Sequence, residues 1–228
     1  MIAEQTMAFH FEKPSGFEYK AGQFIRLTLI EPPETDDEGK GRTFTLASAP
    51  YEEDLMVATR IRPTAFKRVL TTMPLGAEVT LGGPFGSFVL HDDAARPAVF
   101  LAGGIGITPF RSIVSQATKS KLPHHLLLFY SNHRTDDAAF LDEIKELEEE
   151  NPNFSLIATM TEMKGSNHPW RGETGHVDKK MLARFIGNLI GPIYYAAGPP
   201  AMVTAMREML NNAGASEDVI RFEEFSGY

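Results

Sequence analysis

Apolar and polar positions along the chain follow two different periods. From Met1 to about Leu90 the period is two: Met7, Phe9 and Phe11 alternate with Thr6, Ala8 and His10. The runs GQFIRLTLI, RTFTLAS, LMVATRI, AEVTLGG and SFVL repeat the pattern, separated by glycine, proline and charged turns. Short strands at that spacing predict a small antiparallel barrel or sandwich. After the segment HDDAARP the pattern changes. PAVFLAG, HLLLFYS, FSLIATM, PIYYAAG and VIRFEEF read as near-continuous apolar strands. Between them Phe140, Ile144 and Leu147 share one helix face, and Met202, Met206, Met209 and Leu210 share another. Strands alternating with helices predict a parallel sheet covered on both faces. The change of period divides the chain near Asp92 to Arg96, into residues 1–93 and 97–228. The acidic run Glu31–Gly41 reads as an exposed excursion, and EIKELEEE as a solvated helix face.

Composition narrows the chemistry. The 228 residues are 43% hydrophobic, enough for one sizeable core or two. A net charge of -8 argues against nucleic acid or an anionic membrane as the main partner. There is no cysteine, which excludes disulfides, thiolate catalysis and cysteine-ligated zinc or iron–sulfur centres on this chain. The histidines form no i, i+4 ligand pair, so no metal site is expected. No targeting segment is visible, and the expectation is a soluble cytoplasmic protein.

Five segments could carry chemistry. In FLAGGIGITPFRSIV (residues 100–114), an apolar strand ends in Gly103, Gly104 and Gly106 ahead of a helix. Glycines there let the backbone approach a diphosphate, and a helix start offers free N–H groups. Pro109 suits a first helical turn, and Thr108 reads as N-cap and phosphate ligand. The same glycines could instead make only a tight turn. In Arg42–Ser48, Arg42 could neutralise a phosphate and Phe44 lie on a flat ring, with Thr45 and Ser48 adding hydroxyls. The alternative is an ordinary edge strand. The run Arg60-Ile61-Arg62 with Lys67 and Arg68 concentrates positive charge in an acidic chain, as a bound diphosphate or a solvated basic face would. Gly198, Pro199 and Met202 repeat the strand–glycine–helix logic at the same sheet edge. Finally, the tail ends in Phe225 and Tyr228.

Together these segments resemble the ferredoxin–NADP reductase superfamily, in family order and over almost the whole chain. RTFT is similar to its flavin motif Arg-x-Tyr/Phe-Ser/Thr. GGPFGSF is similar to the segment closing its flavin barrel, and AGGIGITP and AAGPPAM to its two pyridine-nucleotide loops. The resemblance implies an N-terminal six-stranded antiparallel β-barrel that binds FAD and a C-terminal α/β domain with a five-stranded parallel sheet that binds NAD(P)H. It implies that Arg42 binds the flavin diphosphate, that Phe44 stacks on the isoalloxazine and that Thr45 lies near the reactive nitrogen. The nucleotide diphosphate would fall to Gly103, Gly104, Gly106, Thr108 and Pro109, and Tyr228 or Phe225 would cover the flavin face. At the end of the second parallel strand, Ser131 and Arg134 would meet the adenosine ribose. Arg134 could pair with a 2′-phosphate, or Asp136 or Asp137 with a free hydroxyl; the sequence leans to NADPH. Two positions depart from the family. Lys67 stands where a serine of a Gly-x-x-Ser motif is usual, and Ala197 where many members carry cysteine.

The implied activity is hydride transfer from NAD(P)H to FAD. Electrons would then pass to a separate acceptor such as ferredoxin, flavodoxin or an oxygenase component. Reduction of free flavin, ferric chelates or quinones is an alternative within enzymes. A non-catalytic flavin-binding regulatory subunit is an alternative outside them.

Overall fold

A computed structural model describes residues 1–164, 166 and 168–225. The N-terminal strands are β1 (Thr6–Glu12), β2 (Phe24–Leu29), β3 (Gly41–Thr45), β4 (Asp54–Arg60) and β5 (Val79–Phe85), with helix α1 (Ala65–Thr72) between β4 and β5. β1 and β4 pair antiparallel, and a second sheet has the order β3-β2-β5. An isolated bridge, Leu46 to Val57, joins them. Ile25, Leu27 and Leu29 alternate inward along β2, where Leu27 and Leu29 meet Phe66, Val69 and Leu70 of α1.

The expected closed six-stranded barrel is not formed among the described residues. SFVL, read as the sixth strand, has no strand pairing. Its Phe88 is instead drawn into the C-terminal core, against Phe110 at 5.8 Å and edge-on to Tyr195 at 5.5 Å. A ring buried there is lost to the barrel, so the segment becomes a connector plugged into the next core.

The C-terminal half holds β6 (Ala98–Gly103), α2 (Thr108–Lys119), β7 (Leu126–Asn132), α3 (Leu141–Glu150), β8 (Phe154–Met160), β9 (Glu173–Thr174), α4 (Lys179–Ile186), β10 (Ile193–Gly198), α5 (Pro200–Asn212) and β11 (Ile220–Glu224). The strands form a parallel sheet in the order β11-β10-β6-β7-β8-β9. The sheet has six strands where five were expected, because the two residues of β9 pair with Thr159 and Met160. Every residue of β6 is buried. Phe100 and Ala102 face α2 and α3, while Val99 and Leu101 face α4 and α5. That two-sided burial is why its sequence is a continuous apolar run.

A polar seam fastens the two halves. Arg111 of α2, almost fully buried, donates to the Ala47 carbonyl at 2.7 Å and to Glu52 at 2.8 Å, both N-terminal, and pairs with Glu143 of α3 at 2.5 Å. Beside it the Ser112 hydroxyl donates to the Ser48 carbonyl at 2.6 Å.

Candidate functional site

The order of the sheet reverses between β6 and β10: β7, β8 and β9 extend to one side and β11 to the other. Ligands of open α/β sheets bind at the carboxyl ends of strands at such a switch point. Both glycine loops end there, in contact with each other. A Cβ on Gly198 would lie 3.1 Å from the Gly103 carbonyl oxygen, and Gly198 has φ +155°. A Cβ on Gly106 would collide with the Ala197 carbonyl. Gly106 is therefore a packing glycine, which lets the first loop lie on the end of β10. Gly104, at φ 52°, starts a 3₁₀ turn over Gly104–Ile107 that leads into α2.

Pro109 lies in the first turn of α2, as expected. Thr108 does not cap it. Thr108 is already the first helical residue, and its hydroxyl donates to the Ile105 carbonyl at 3.2 Å because the 3₁₀ turn runs directly into the helix. A cavity of about 160 Å³ opens over this edge, lined by Gly103, Gly104, Ser131, Pro199 and Met202 together with Asn132, His133 and Arg60. Gly106, Pro109 and Gly198 shape it without lining it.

A larger cleft, about 430 Å³, lies between the N-terminal sheets and the parallel sheet. β3 contributes Arg42, Phe44 and Thr45, β4 and the following turn Arg60 and Arg62, and α1 Lys67. Ile105 and Thr108 reach it from the first glycine loop, and Phe225 from beyond β11. Thr64 caps α1 by accepting from the Lys67 N–H at 3.4 Å, and both residues line the cleft. Burial, then the charges of Arg62 and Arg42, push the Lys67 ammonium down to about 8. Among the described residues, no carboxylate forms an ion pair with Arg60, Arg62 or Lys67. A concave cluster of such cations beside an aromatic ring suits an anionic ligand with a flat part.

Arg42 is different. Its Nη1 donates to the carbonyls of Glu38, Gly39 and Gly41, and its Nη2 pairs with Asp36 and Glu38, each at 3.0 Å. Asp36 also accepts the Ala65 N–H at the start of α1, at 3.0 Å. Glu34 pairs with Arg68 at 2.5 Å. The acidic run is mostly exposed, and three of its carboxylates, Glu34, Asp36 and Glu38, pair with Arg42 or Arg68.

Glu223 of β11 joins the site without having been expected there. Its carboxylate accepts from the buried Thr45 hydroxyl at 3.3 Å, and burial pushes its pKa up to about 7. Phe225 follows two residues later, its N–H donating to the Gly198 carbonyl at 3.0 Å. A signal for Glu223 exists in the sequence: an acid near the carboxyl end of an apolar strand; in the sheet it lies level with Ala197, one residue before the glycine of the neighbouring loop.

Two expected site residues lie elsewhere, and a third is at its expected place but already paired. Ser48 is fully buried in the seam, its hydroxyl accepting from the Met56 N–H at 2.9 Å and bonded to Tyr19 at 3.0 Å. Its place in the alternation turns it toward the core. Ile61 lines neither cavity; its N–H donates to the Gln5 carbonyl at 2.7 Å. Arg134 lies over the end of β7 but is held by Asp137 and Glu4, at 2.9 and 2.7 Å. Tyr228 lies outside the described residues.

Residues 100–208 match the family model of the oxidoreductase NAD-binding domain. A component of the Na(+)-translocating NADH-quinone reductase of Methylococcus capsulatus is 28% identical over 202 residues, which cover 82% of this chain and 49% of that one. Reductase component 2 of terephthalate 1,2-dioxygenase from a Comamonas species is 27% identical, over 86% of this chain and 56% of its own. The chain spans about half the length of these relatives. Among solved structures, the Amycolatopsis cytochrome P450 reductase GcoB superposes with a TM-score of 0.83 at 23% identity, covering 99% of this chain and 66% of that one. A ferredoxin NADP+ reductase from Neisseria gonorrhoeae with bound FAD and NADP gives 0.79 at 20% identity, covering 96% and 92%.

Proposed function

We propose, for a chain that has the ferredoxin–NADP reductase fold and carries an oxidoreductase NAD-binding domain, that it is a flavoprotein reductase. Residues 1–93 would hold FAD and residues 97–228 NAD(P)H, with electrons leaving to a separate acceptor such as an oxygenase component, ferredoxin or flavodoxin. The observation that carries this reading is the position of Arg60, which lines both the cleft of Phe44 and Thr45 and the cavity of Gly103 and Gly104. Two ligand sites that share a wall can hold two flat rings in contact, and orientation is the main task of a protein in hydride transfer. Among the described residues, no helix is long and apolar enough to cross a membrane.

The residues present fit FAD by their chemistry. Arg60, Arg62 and Lys67 would meet the diphosphate, and Phe44 with Phe225 would bracket the ring system. Lys67 supplies charge where many members of the fold family have a serine hydroxyl. Thr45 and Glu223 would lie at the reacting edge, where a carboxyl with a pKa near neutrality can hold or release a proton. Bound FAD would supply the two-electron to one-electron conversion. Gly104 would admit the nucleotide backbone, and Pro199 and Met202 would exclude water from the nicotinamide.

One observation favours a second reading, reduction of free flavin. Arg42, the residue expected to anchor the flavin diphosphate, is already paired with Asp36 and Glu38. A flavin that must compete with those carboxylates would dissociate readily. Purification followed by a visible spectrum, heat release and chromatography of the cofactor tests the site: FAD supports it, and FMN alone or no flavin after reconstitution overturns it. Stopped-flow reduction with NADH and NADPH then tests the reaction.

A further inference from the structure

The Arg134 guanidinium lies between two carboxylates from distant parts of the chain. Asp137, itself almost fully buried, accepts Nε at 3.0 Å and Nη2 at 2.9 Å, the bidentate geometry that arginine favours. Glu4, ahead of β1, accepts Nη2 at 2.7 Å. The Glu4 backbone N–H also donates to the Asp136 carbonyl at 2.8 Å, so the segment before β1 is fastened across the end of β7 by two separate bonds. One cation and two anions leave this triad with a net charge of -1. It lines a cavity of about 390 Å³ that shares His133 and Arg60 with the cavity over the glycine loop.

In a dinucleotide-binding parallel sheet, the end of the second strand is where the 2′ position of the adenosine ribose falls. A carboxylate there accepts from a free hydroxyl, and an open arginine accommodates a 2′-phosphate. Here the arginine is not open. A 2′-phosphate would either displace Glu4 or approach a cluster that is already negative. Glu162 and Lys164, on the other rim, offset each other in charge. Arg60 also lines the flavin cleft, so its charge belongs to the junction of the cavities.

We propose that the Glu4–Arg134–Asp137 triad makes the nucleotide site select a dinucleotide with a free 2′-hydroxyl, NADH over NADPH, and that Glu4, contributed by the N-terminal half, sets the choice. This rests on the reductase reading above, and it reverses the NADPH preference expected from sequence. Calorimetric titration of the flavin-loaded protein with NAD+ and NADP+ tests it directly, with NMR titrations of 5′-AMP and adenosine 2′,5′-bisphosphate isolating the 2′-phosphate. NAD+ should bind about tenfold or more tightly than NADP+, and 5′-AMP more tightly than the bisphosphate. Glu4→Gln should shift the NADP+/NAD+ affinity ratio about threefold or more toward NADP+, while Glu4→Asp restores the parent ratio. NADP+ binding as tightly as NAD+ in the parent, or a ratio unmoved by Glu4→Gln, overturns the inference and leaves the reductase reading standing. If none of the four nucleotides binds, the reductase reading falls and the inference with it.

Discussion

The Thr45 hydroxyl donates to the Glu223 carboxylate at 3.3 Å, across 178 residues of sequence. β3 supplies the donor and β11 the acceptor, so the bond exists only when the N-terminal sheet and the parallel sheet are correctly docked. Burial raises the Glu223 pKa to about 7, with the Thr45 hydrogen bond acting in the opposite direction. Between the ordinary value of 4.5 and about 7 the folded state binds more protons than the unfolded state, so stability falls as pH rises through that window. The full loss is of order 3 kcal/mol, at one pKa unit per about 1.4 kcal/mol. Urea melts of the flavin-free protein at pH 5 and pH 8 should show it. Glu223→Gln should be the more stable variant at pH 8 and nearly matched to the parent at pH 5. Equal pH profiles for the two proteins would mean that Glu223 is not the buried acid.

Arg111 is the cation that Glu52 and Glu143 share in the seam. Arg111 is buried, whereas the Glu52 and Glu143 side chains keep 25% and 37% exposure, so removing it costs less than the ~3–5 kcal/mol of a fully buried pair. Arg111→Met should lower the melting temperature sharply. Arg111→Met combined with Glu52→Gln and Glu143→Gln should recover part of the loss, because no carboxylate then faces an apolar side chain in place of its cation. Thermal melts of the single and triple variants decide the point; a triple variant no better than the single one would place the cost in lost packing.

Two glycines of the first loop separate ligand approach from packing. Gly104→Val should abolish flavin reduction by nicotinamide nucleotide while flavin stays bound, since Gly104 lines the nucleotide cavity and not the flavin cleft. Gly106→Ala should instead destabilise the fold, by about 1–3 kcal/mol or more, because the new methyl meets Ala197 backbone that cannot move aside. Stopped-flow reduction reads the first and urea melts the second. Normal reduction by the Gly104 variant would make the loop a turn and nothing else.

β6 and β10 are legible in the sequence because burial on both faces leaves nothing but apolar residues and the terminal glycines. β9 is not, since two residues have no period. SFVL alternates like a strand, but Phe88 is worth more in the core of Phe110 and Tyr195 than in a barrel wall, a tertiary preference that no local pattern carries. Residue type alone brings Arg42, Phe44, Lys67 and Gly104 to the cavities. It misplaces Ser48, and it leaves Arg134 open where the fold closes it with Asp137 and with Glu4, because type does not say which partners arrive: Glu4 is 130 residues away.

The carboxylates on Arg42 predict a flavin affinity below what the cationic cleft alone would give. Glu38 is exposed and only paired, whereas Asp36 also caps α1. Glu38→Gln should therefore tighten FAD binding by about two- to fivefold, the range of an exposed ion pair. Asp36→Asn should weaken it, because the loop and the helix start lose their common anchor. Flavin fluorescence titrations at two salt concentrations check both. Looser binding in Glu38→Gln would mean that Glu38 positions Arg42 for the flavin and does not compete with it.

Phe225 lines the flavin cleft, and its backbone is tied to Gly198 at the tip of the second glycine loop. Under the proposed function, a ring in that position would occupy the space through which a nicotinamide reaches the flavin. Aromatic stacking contributes about 0.5–1.5 kcal/mol beyond burial, so a competing ring can displace it at a cost of roughly two- to twelvefold in affinity. Phe225→Ala should bind oxidised nucleotide more tightly by a factor within that range. It should also shift the visible flavin bands, since one face of the ring system loses its neighbour. Phe225→Tyr, which keeps the ring, should do neither. Deletion of Ser226 to Tyr228 separates the terminal tyrosine from this role: if the deletion tightens nucleotide binding and shifts the flavin bands while Phe225→Ala matches the parent, the covering ring is Tyr228.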